Sequence, residues 1–250
     1  MTTPHGKDAL LAGVRRPPGP PVGECEVMPG MRLAWRYLPA GSAGGDLFAV
    51  APWGSDALGC FILDASGRGH EAAARASALA DLLVADLPRE MPAAEPGQIL
   101  TILNQQFPMT KEGHSLTIWL GIVSVSSGRL RFSSAGHAGV LVLHEGSPSE
   151  QLSRPSFPLG FVPHGCYSTM TATLRSGDRL LMFSDGLYDA AAPTGERWGF
   201  SRFQSAVRHH ADLGLPEHLD AVIADARAWQ QGVPFRDDAA MVGLEIGSGD

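Results

Sequence analysis

The chain has 250 residues, 44% of them hydrophobic and 18% charged, with a formal net charge of −7 at pH 7. That is enough apolar material for one large domain or two small ones, and too ordinary a composition for bulk disorder. The acidic balance disfavours broad binding to nucleic acid or to an anionic membrane, both of which require basic patches. Three widely spaced cysteines, Cys25, Cys60 and Cys166, form no CxxC pattern and no disulfide framework. The N-terminus shows no basic segment followed by an apolar run, and nothing approaches the roughly 18 consecutive apolar residues of a membrane span. A soluble protein of the cytoplasm is therefore expected.

Residues 1–30 begin with a Pro- and Gly-rich stretch without sustained period and are expected to form a flexible N-terminal arm. From Met31 strand signals alternate with turns: "MRLAWRYLPA", "GDLFAVAPW" and, after the turn signal "GSD", "ALGCFILD". The period then changes. In "EAAARASALADLLVADL" the residues Leu79, Leu82, Leu83 and Leu87 share one helical face. Pro96 suits the start of a second helix, "GQILTILNQQF", with Ile99, Ile102 and Leu103 facing inward. Strands resume in "SLTIWLGIVSVSSGRLRFSSAGHAGVLVLHEG", "YSTMTATL" and "DRLLMFSD". Residues 199–231 read as helical with Pro216 opening a second segment, and His209 and His210 are expected on their surface. A final strand is "AAMVGLEI".

Strands in runs and helices in pairs are not the strict alternation of a parallel α/β sheet. The fold class is α+β, with mostly antiparallel strands in two packed sheets and helix pairs outside.

"LDASGRGHEAA" satisfies the GxGxxA pattern of a dinucleotide turn, but a second helix follows where a parallel strand with a terminal acid is needed. The context rejects a nucleotide site. What remains is Asp64, ending an apolar strand. Alone it would be a turn cap, since a bare buried carboxylate is costly. Yet "RLLMFSDG" repeats the arrangement at Asp185, "FRDDAAM" mirrors it with Asp237 and Asp238, and "AGGDLF" adds Asp46. Four elements with carboxylates at strand ends suit hard divalent cations, which want several oxygen ligands. Neighbouring glycines let backbone carbonyls approach a metal.

The ordered set "AGGDLF", "LDASGRGHEAA", "SSAGHAG", "PLGF", "RSGDRLLMFSDGLYDAAAPTGERWG" and "DDAAMVGLEI" resembles the PPM family of metal-dependent protein serine/threonine phosphatases, in its bacterial SpoIIE/RsbU-type branch. The resemblance runs from about Met31 to Ile246 and makes 31–247 the phosphatase domain. It implies a central antiparallel β-sandwich flanked on both sides by helix pairs, and two Mn2+ or Mg2+ ions sharing a bridging water. Carried over by motif, Asp64 bridges both metals and the Ala65 carbonyl helps hold one. Asp185 and Asp237 ligate across the bridge, and Asp46 acts mainly through metal-bound water. Asp238 shapes the loop, and Gly186 permits the tight turn. Arg68 is a candidate for touching the substrate phosphate and His70 for protonating the leaving group, with a solvated arginine and a metal-bound water as their alternatives. His137 reads as a turn residue.

Departures from the family pattern are Ala49 for the second acid of GGDxxD, Ala240 for a common Ser or Thr, and Asp189 for a common Glu. The first two bear on metal affinity, rate or regulation. The implied function is removal of phosphate from a phosphoprotein, with an anti-sigma-factor antagonist of a partner-switching pathway as the substrate. The resemblance also makes 70–107 a candidate regulatory or homodimer surface. The competing class is a catalytically impaired member acting as a binding module. A nucleotide cyclase, hinted at by "GGDLF", lacks the acid where Leu47 stands and the preceding helix–sheet unit.

Overall fold

The computed structural model describes residues 14–15, 21–40, 45–66, 70–144 and 149–247. In chain order the strands are β1 (Val14–Arg15), β2 (Val22–Met28), β3 (Met31–Leu38), β4 (Leu47–Pro52) and β5 (Ala57–Ala65). Helix α1 (His70–Asp81), a π-helical turn (Leu82–Asp86), α2 (Leu87–Glu90) and α3 (Pro96–Gln106) follow. Next come β6 (Leu116–Ser124), β7 (Arg129–Ala135), β8 (Val140–Leu143), β9 (Glu150–Leu152), β10 (Met170–Thr173) and β11 (Arg179–Phe183). Helices α4 (Asp185–Tyr188), α5 (Phe200–His209) and α6 (Leu215–Gln230) precede β12 (Ala239–Ile246).

The strands form two six-stranded antiparallel sheets, ordered β1-β4-β5-β6-β7-β10 and β2-β3-β12-β11-β8-β9. Side chains alternate faces along a strand, and the two-residue period sorts each strand between two hydrophobic layers. In β5, Leu58, Cys60 and Ile62 enter the core between the sheets, while Phe61, Leu63 and Ala65 pack under α1 and α3. In β12, Ala240, Val242, Leu244 and Ile246 enter the same central core, while Ala239 and Met241 pack against α5 and α6. Because both faces are covered, these strands read as continuous apolar runs rather than alternating ones. The α+β sandwich with helix pairs on both sides is the architecture observed.

Three local expectations change. The arm expected at 1–30 is in part sheet: β2 pairs with β3 from Val22↔Arg36 to Met28↔Met31, and Val14–Arg15 pair with β4. β2 is an edge strand whose alternate residues Cys25 and Val27 pack on the core, so the missing half of its pattern comes from a neighbour rather than from its own sequence. Residues 1–13 and 16–20 lie outside the described residues. Second, the helix after β5 is interrupted. Pro88 has no N–H and its ring would strike the carbonyl of Val84, so the chain widens to a π turn with Leu87 N–H bonded to Leu82 O. The widening leaves Leu79, Leu83 and Leu87 buried and Leu82 only half-buried. In α3 the inward set is Ile99, Leu100 and Leu103 instead of one containing Ile102. Third, His210 is half-buried, with Nε2 3.0 Å from Asp225 Oδ2, while His209 is exposed.

Candidate metal centre and its cleft

Antiparallel register decides where the strand-end carboxylates go. Leu47 pairs with Leu63, so the start of β4 and the end of β5 lie side by side, bringing Asp46 beside Asp64. In the facing sheet Phe183 pairs with Met241, so the end of β11 and the start of β12 adjoin, bringing Asp185 beside Asp237 and Asp238. Period two puts Asp46 with Phe48 and Asp64 with Ile62, both on the side facing the second sheet. One end of the sandwich thus gathers acids from both sheets.

Their environments differ. Asp46 is 3% exposed, and burial, then the charge of Asp64, hold its carboxyl well above the usual range against a hydrogen bond from Ser184. Its Oδ2 is buried with no hydrogen-bond partner among the described residues. Asp64 is pushed up to about 7, by burial first and then by Asp185 and Asp237. Asp185, exposed at the head of α4, is raised by burial of its carboxyl and by Asp189 and Asp237. Arg197, which holds Asp189 in a two-pronged ion pair at 3.0 and 2.9 Å, acts on Asp185 in the opposite sense. Asp237 is exposed and accepts the Asp238 N–H at 2.9 Å. Asp238 is 4% exposed and fully engaged: Tyr37 Oη donates to it at 2.7 Å and the Ala40 N–H at 2.9 Å.

Backbone geometry closes the site. Any Cβ on Gly186 would lie 2.0 Å from the Asp238 carbonyl, and one on Gly45 would lie 2.9 Å from the Ala65 carbonyl. Glycine at these two positions lets the α4 head approach the Asp238 loop and the strand before β4 approach the Ala65 carbonyl. Ser184, which precedes Asp185, locks the second sheet's pair. Its hydroxyl accepts the Ala240 N–H at 2.9 Å and donates to the Asp238 carbonyl at 3.2 Å.

Of the other residues singled out in the sequence, Arg68 lies outside the described residues, and His70 is exposed as the first residue of α1. Ala49 is buried among Leu63, Ala65 and the helices, on the face of β4 opposite Asp46. Ala240 is buried in the central core.

Asp64 and Asp185 line a cavity of about 370 Å³, together with Thr117, His137, Arg154 and Tyr188. His137 sits in a turn between two glycines of positive φ, Gly136 and Gly139, and its Nδ1 accepts the Gly139 N–H at 3.0 Å. Burial holds its imidazole down at about 4, so it is neutral at physiological pH. Arg154 is exposed, and among the described residues no carboxylate pairs with it. Sequence reasoning missed Arg154, Tyr188, Tyr37 and Ser184. Only Ser184 carried a local signal, its place directly before Asp185; the others reach the site through the tertiary fold.

Among the described residues no three His, Cys, Asp or Glu are already gathered into a ligand set; Asp46 and Asp64 share a hydrogen bond, and Asp185 and Asp237 act on Asp64 through their charge. The donor chemistry nonetheless fits a hard cation: all-oxygen groups, mutually repelling, one with a buried oxygen lacking any partner.

Two sheets of antiparallel strands with helix pairs outside and acids at one end define a PP2C-type phosphatase fold. The sequence matches the family described as Stage II sporulation protein E (SpoIIE) over residues 54–247. The chain belongs to that family, and it shares its fold with PP2C phosphatase domains. It is 25% identical to Protein IcfG of Synechocystis sp., matching over 83% of this chain and 37% of that protein. The chain thus spans little more than a third of this curated relative. Among solved structures, the SiaA-PP2C domain of Pseudomonas aeruginosa superimposes with a TM-score of 0.73 at 21% identity, covering 85% of each chain. RsbX in complex with magnesium gives 0.66 at 18% identity, covering 90% of this chain and all of that one (100%).

Proposed function

We propose that the protein is a metal-dependent serine/threonine phosphatase whose site is the acid-lined end of the sandwich. The observation that carries this reading is Asp46 Oδ2, buried and without a partner among the described residues, beside Asp64, which is pushed up to about 7 and lines the cavity. A buried oxygen of that kind costs stability unless a cation completes it. The magnesium bound in RsbX supports the same assignment by analogy of fold. Asp64 with the Ala65 carbonyl, and Asp185 with Asp237, would hold two Mg2+ or Mn2+ ions, with Asp46 behind them. Such ions supply water activation and neutralise phosphate charge.

The chain's own groups do the rest. Asp64 must give up its proton before it can ligate. Asp238, held by Tyr37 and the Ala40 N–H, keeps the β12 entry in place. Arg154 offers a planar fork of donors to phosphate oxygens on the cavity wall. His137, neutral, contributes shape and no charge. The substrate class is a phosphoserine or phosphothreonine on a protein. An anti-sigma-factor antagonist of a partner-switching pathway follows from the family resemblance. The binding-module alternative rested on Ala49 and Ala240. Ala49 faces the helix layer, away from Asp46, so an acid there would not add to this cluster.

The test is phosphate release from a phosphoserine peptide and from a small phosphoaryl ester, with and without manganese. Manganese-dependent release that falls by roughly a hundredfold or more in both Asp64→Asn and Asp185→Asn is expected, since each removes a ligand from a site supplying several kcal/mol. A folded native chain that releases nothing with manganese saturating would hand the protein to the binding-module class.

A further inference from the structure

The loop after β9 builds a second feature beside the cleft. Phe157 and Phe161 are 58% and 50% exposed, with rings stacked at 5.6 Å and 7°. With Met109, whose N–H bonds to the Gly160 carbonyl, they make up three of the five exposed large hydrophobics among the described residues.

This exposure is enforced by the backbone. Between the two rings Leu159 is fully buried, and its N–H bonds to the Leu116 carbonyl at 2.8 Å. Asn104 Oδ1 accepts the Gly160 N–H at 2.7 Å, and Tyr167 Oη lies 3.2 Å from both the Phe157 and Pro158 carbonyls, either of which accepts its one proton. Leu159 is pinned inside a turn that Phe161 N–H closes on the Pro158 carbonyl at 3.3 Å, with Gly160 at φ +77°, and this turn holds both rings outward in a preset position, so little ordering cost remains for a binding partner.

The rings also join the acid-lined cavity. A second cavity of about 370 Å³, lined by Phe157, Val162, Tyr167 and Met170, shares Arg154, Pro155 and Ser156 with the cavity holding Asp64 and Asp185. One groove therefore runs from the carboxylates, past the unpaired Arg154, to the stacked rings.

We infer that Phe157 and Phe161 dock an apolar side chain of the phosphoprotein substrate, a few residues away from the phosphoserine whose phosphate lies by Arg154. This rests on the phosphatase reading above. The occupant is a peptide segment and not a second copy of the chain. Two aromatic side chains and a methionine bury at most a few hundred Å², well short of the roughly 1,200 Å² of a stable interface.

The experiment uses phosphoserine peptides of Ala, Gly and Lys in which a single Leu is stepped through the flanking positions, with a phosphoaryl ester alongside and manganese present. One or two Leu positions are expected to raise kcat/KM roughly tenfold, about what burying part of a Leu is worth. Phe157→Ser, Phe161→Ser and the double variant should erase that preference and leave ester hydrolysis unchanged, which also certifies the fold. A preference that survives the double variant, or no preference in a native chain that hydrolyses the ester, overturns the docking site. A native chain that does not hydrolyse the ester overturns the phosphatase reading beneath it. Loss of a sedimenting dimer in the double variant, with no Leu preference, reassigns the rings to self-association.

Discussion

The two ends of the β11–β12 pair carry acids of opposite character. At the end where β11 begins, Asp178 is 3% exposed and engaged by the Arg175 N–H at 2.7 Å and by His144 Nδ1 at 2.9 Å. Next to it burial pushes Glu245 up, but hydrogen bonds from Arg32 and Arg179 outweigh burial and hold it below its usual range. At the other end, Asp46, Asp64, Asp185 and Asp237 form no salt bridge among the described residues, and three of them are pushed up. The same residue type serves two purposes. Acids given their cation by the chain stabilise it, whereas acids left without one store repulsion that an external cation can relieve.

The largest expected effect breaks the partnered end. Asp178→Ala strips the partner from the Arg175 N–H and from His144, and should cost roughly 2–4 kcal/mol of unfolding free energy. Chemical denaturation reads this cost, and phosphate release per folded molecule should stay unchanged.

At the other end the sign reverses. Asp64→Asn should stabilise the metal-free protein by about 2 kcal/mol at pH 8, because it removes a buried like charge. A destabilised variant would mean that the hydrogen bond between Asp64 and Asp46 outweighs the repulsion. The pH dependence follows from the same group. Its folded pKa, about 7, lies above the ordinary aspartate value of 3.8, so the folded state binds the proton more tightly. That contribution is fully present below about pH 4 and is lost as pH rises through 7. Thermal unfolding of the metal-free protein should show this decline between pH 4 and 7, and Asp64→Asn should flatten it. Saturating magnesium should restore stability above pH 7, where the carboxylate is free to ligate.

The smallest effect sharpens the contrast inside the acidic end itself, where Asp238 alone is fully hydrogen-bonded. Tyr37→Phe removes one of its donors and should cost about 1 kcal/mol. Calorimetric magnesium titration should show weaker binding as well, because the β12 entry loses an anchor.

Much of this was legible in the residues. The strands β3, β4, β5, β6, β11 and β12 and the helices α3, α5 and α6 fall within the segments that periodicity and turn chemistry predict, because their apolar content is high and their ends carry Gly or Pro. The acids at 46, 64, 185, 237 and 238 stood out through repetition of one arrangement, a carboxylate at the end or start of an apolar strand. What escaped depended on neighbours. β2 is half a pattern completed by β3, and the π turn follows from what Pro88 does to Val84. Arg154 sits in a Pro- and Ser-rich loop where no period marks it.

Local sequence therefore determined which segments are strands and helices, which residues are acids and which glycines flank them, since propensity, period and turn geometry act over a few residues. Only the tertiary structure decided that antiparallel register in two sheets brings those acids to one end, and that Ala49 faces away from them. It also decided that both Asp238 carboxylate oxygens are hydrogen-bonded while Asp46 Oδ2 has no partner among the described residues. Burial and Coulomb energy depend on distances between residues far apart in the chain, and those distances exist only once the sheets have packed.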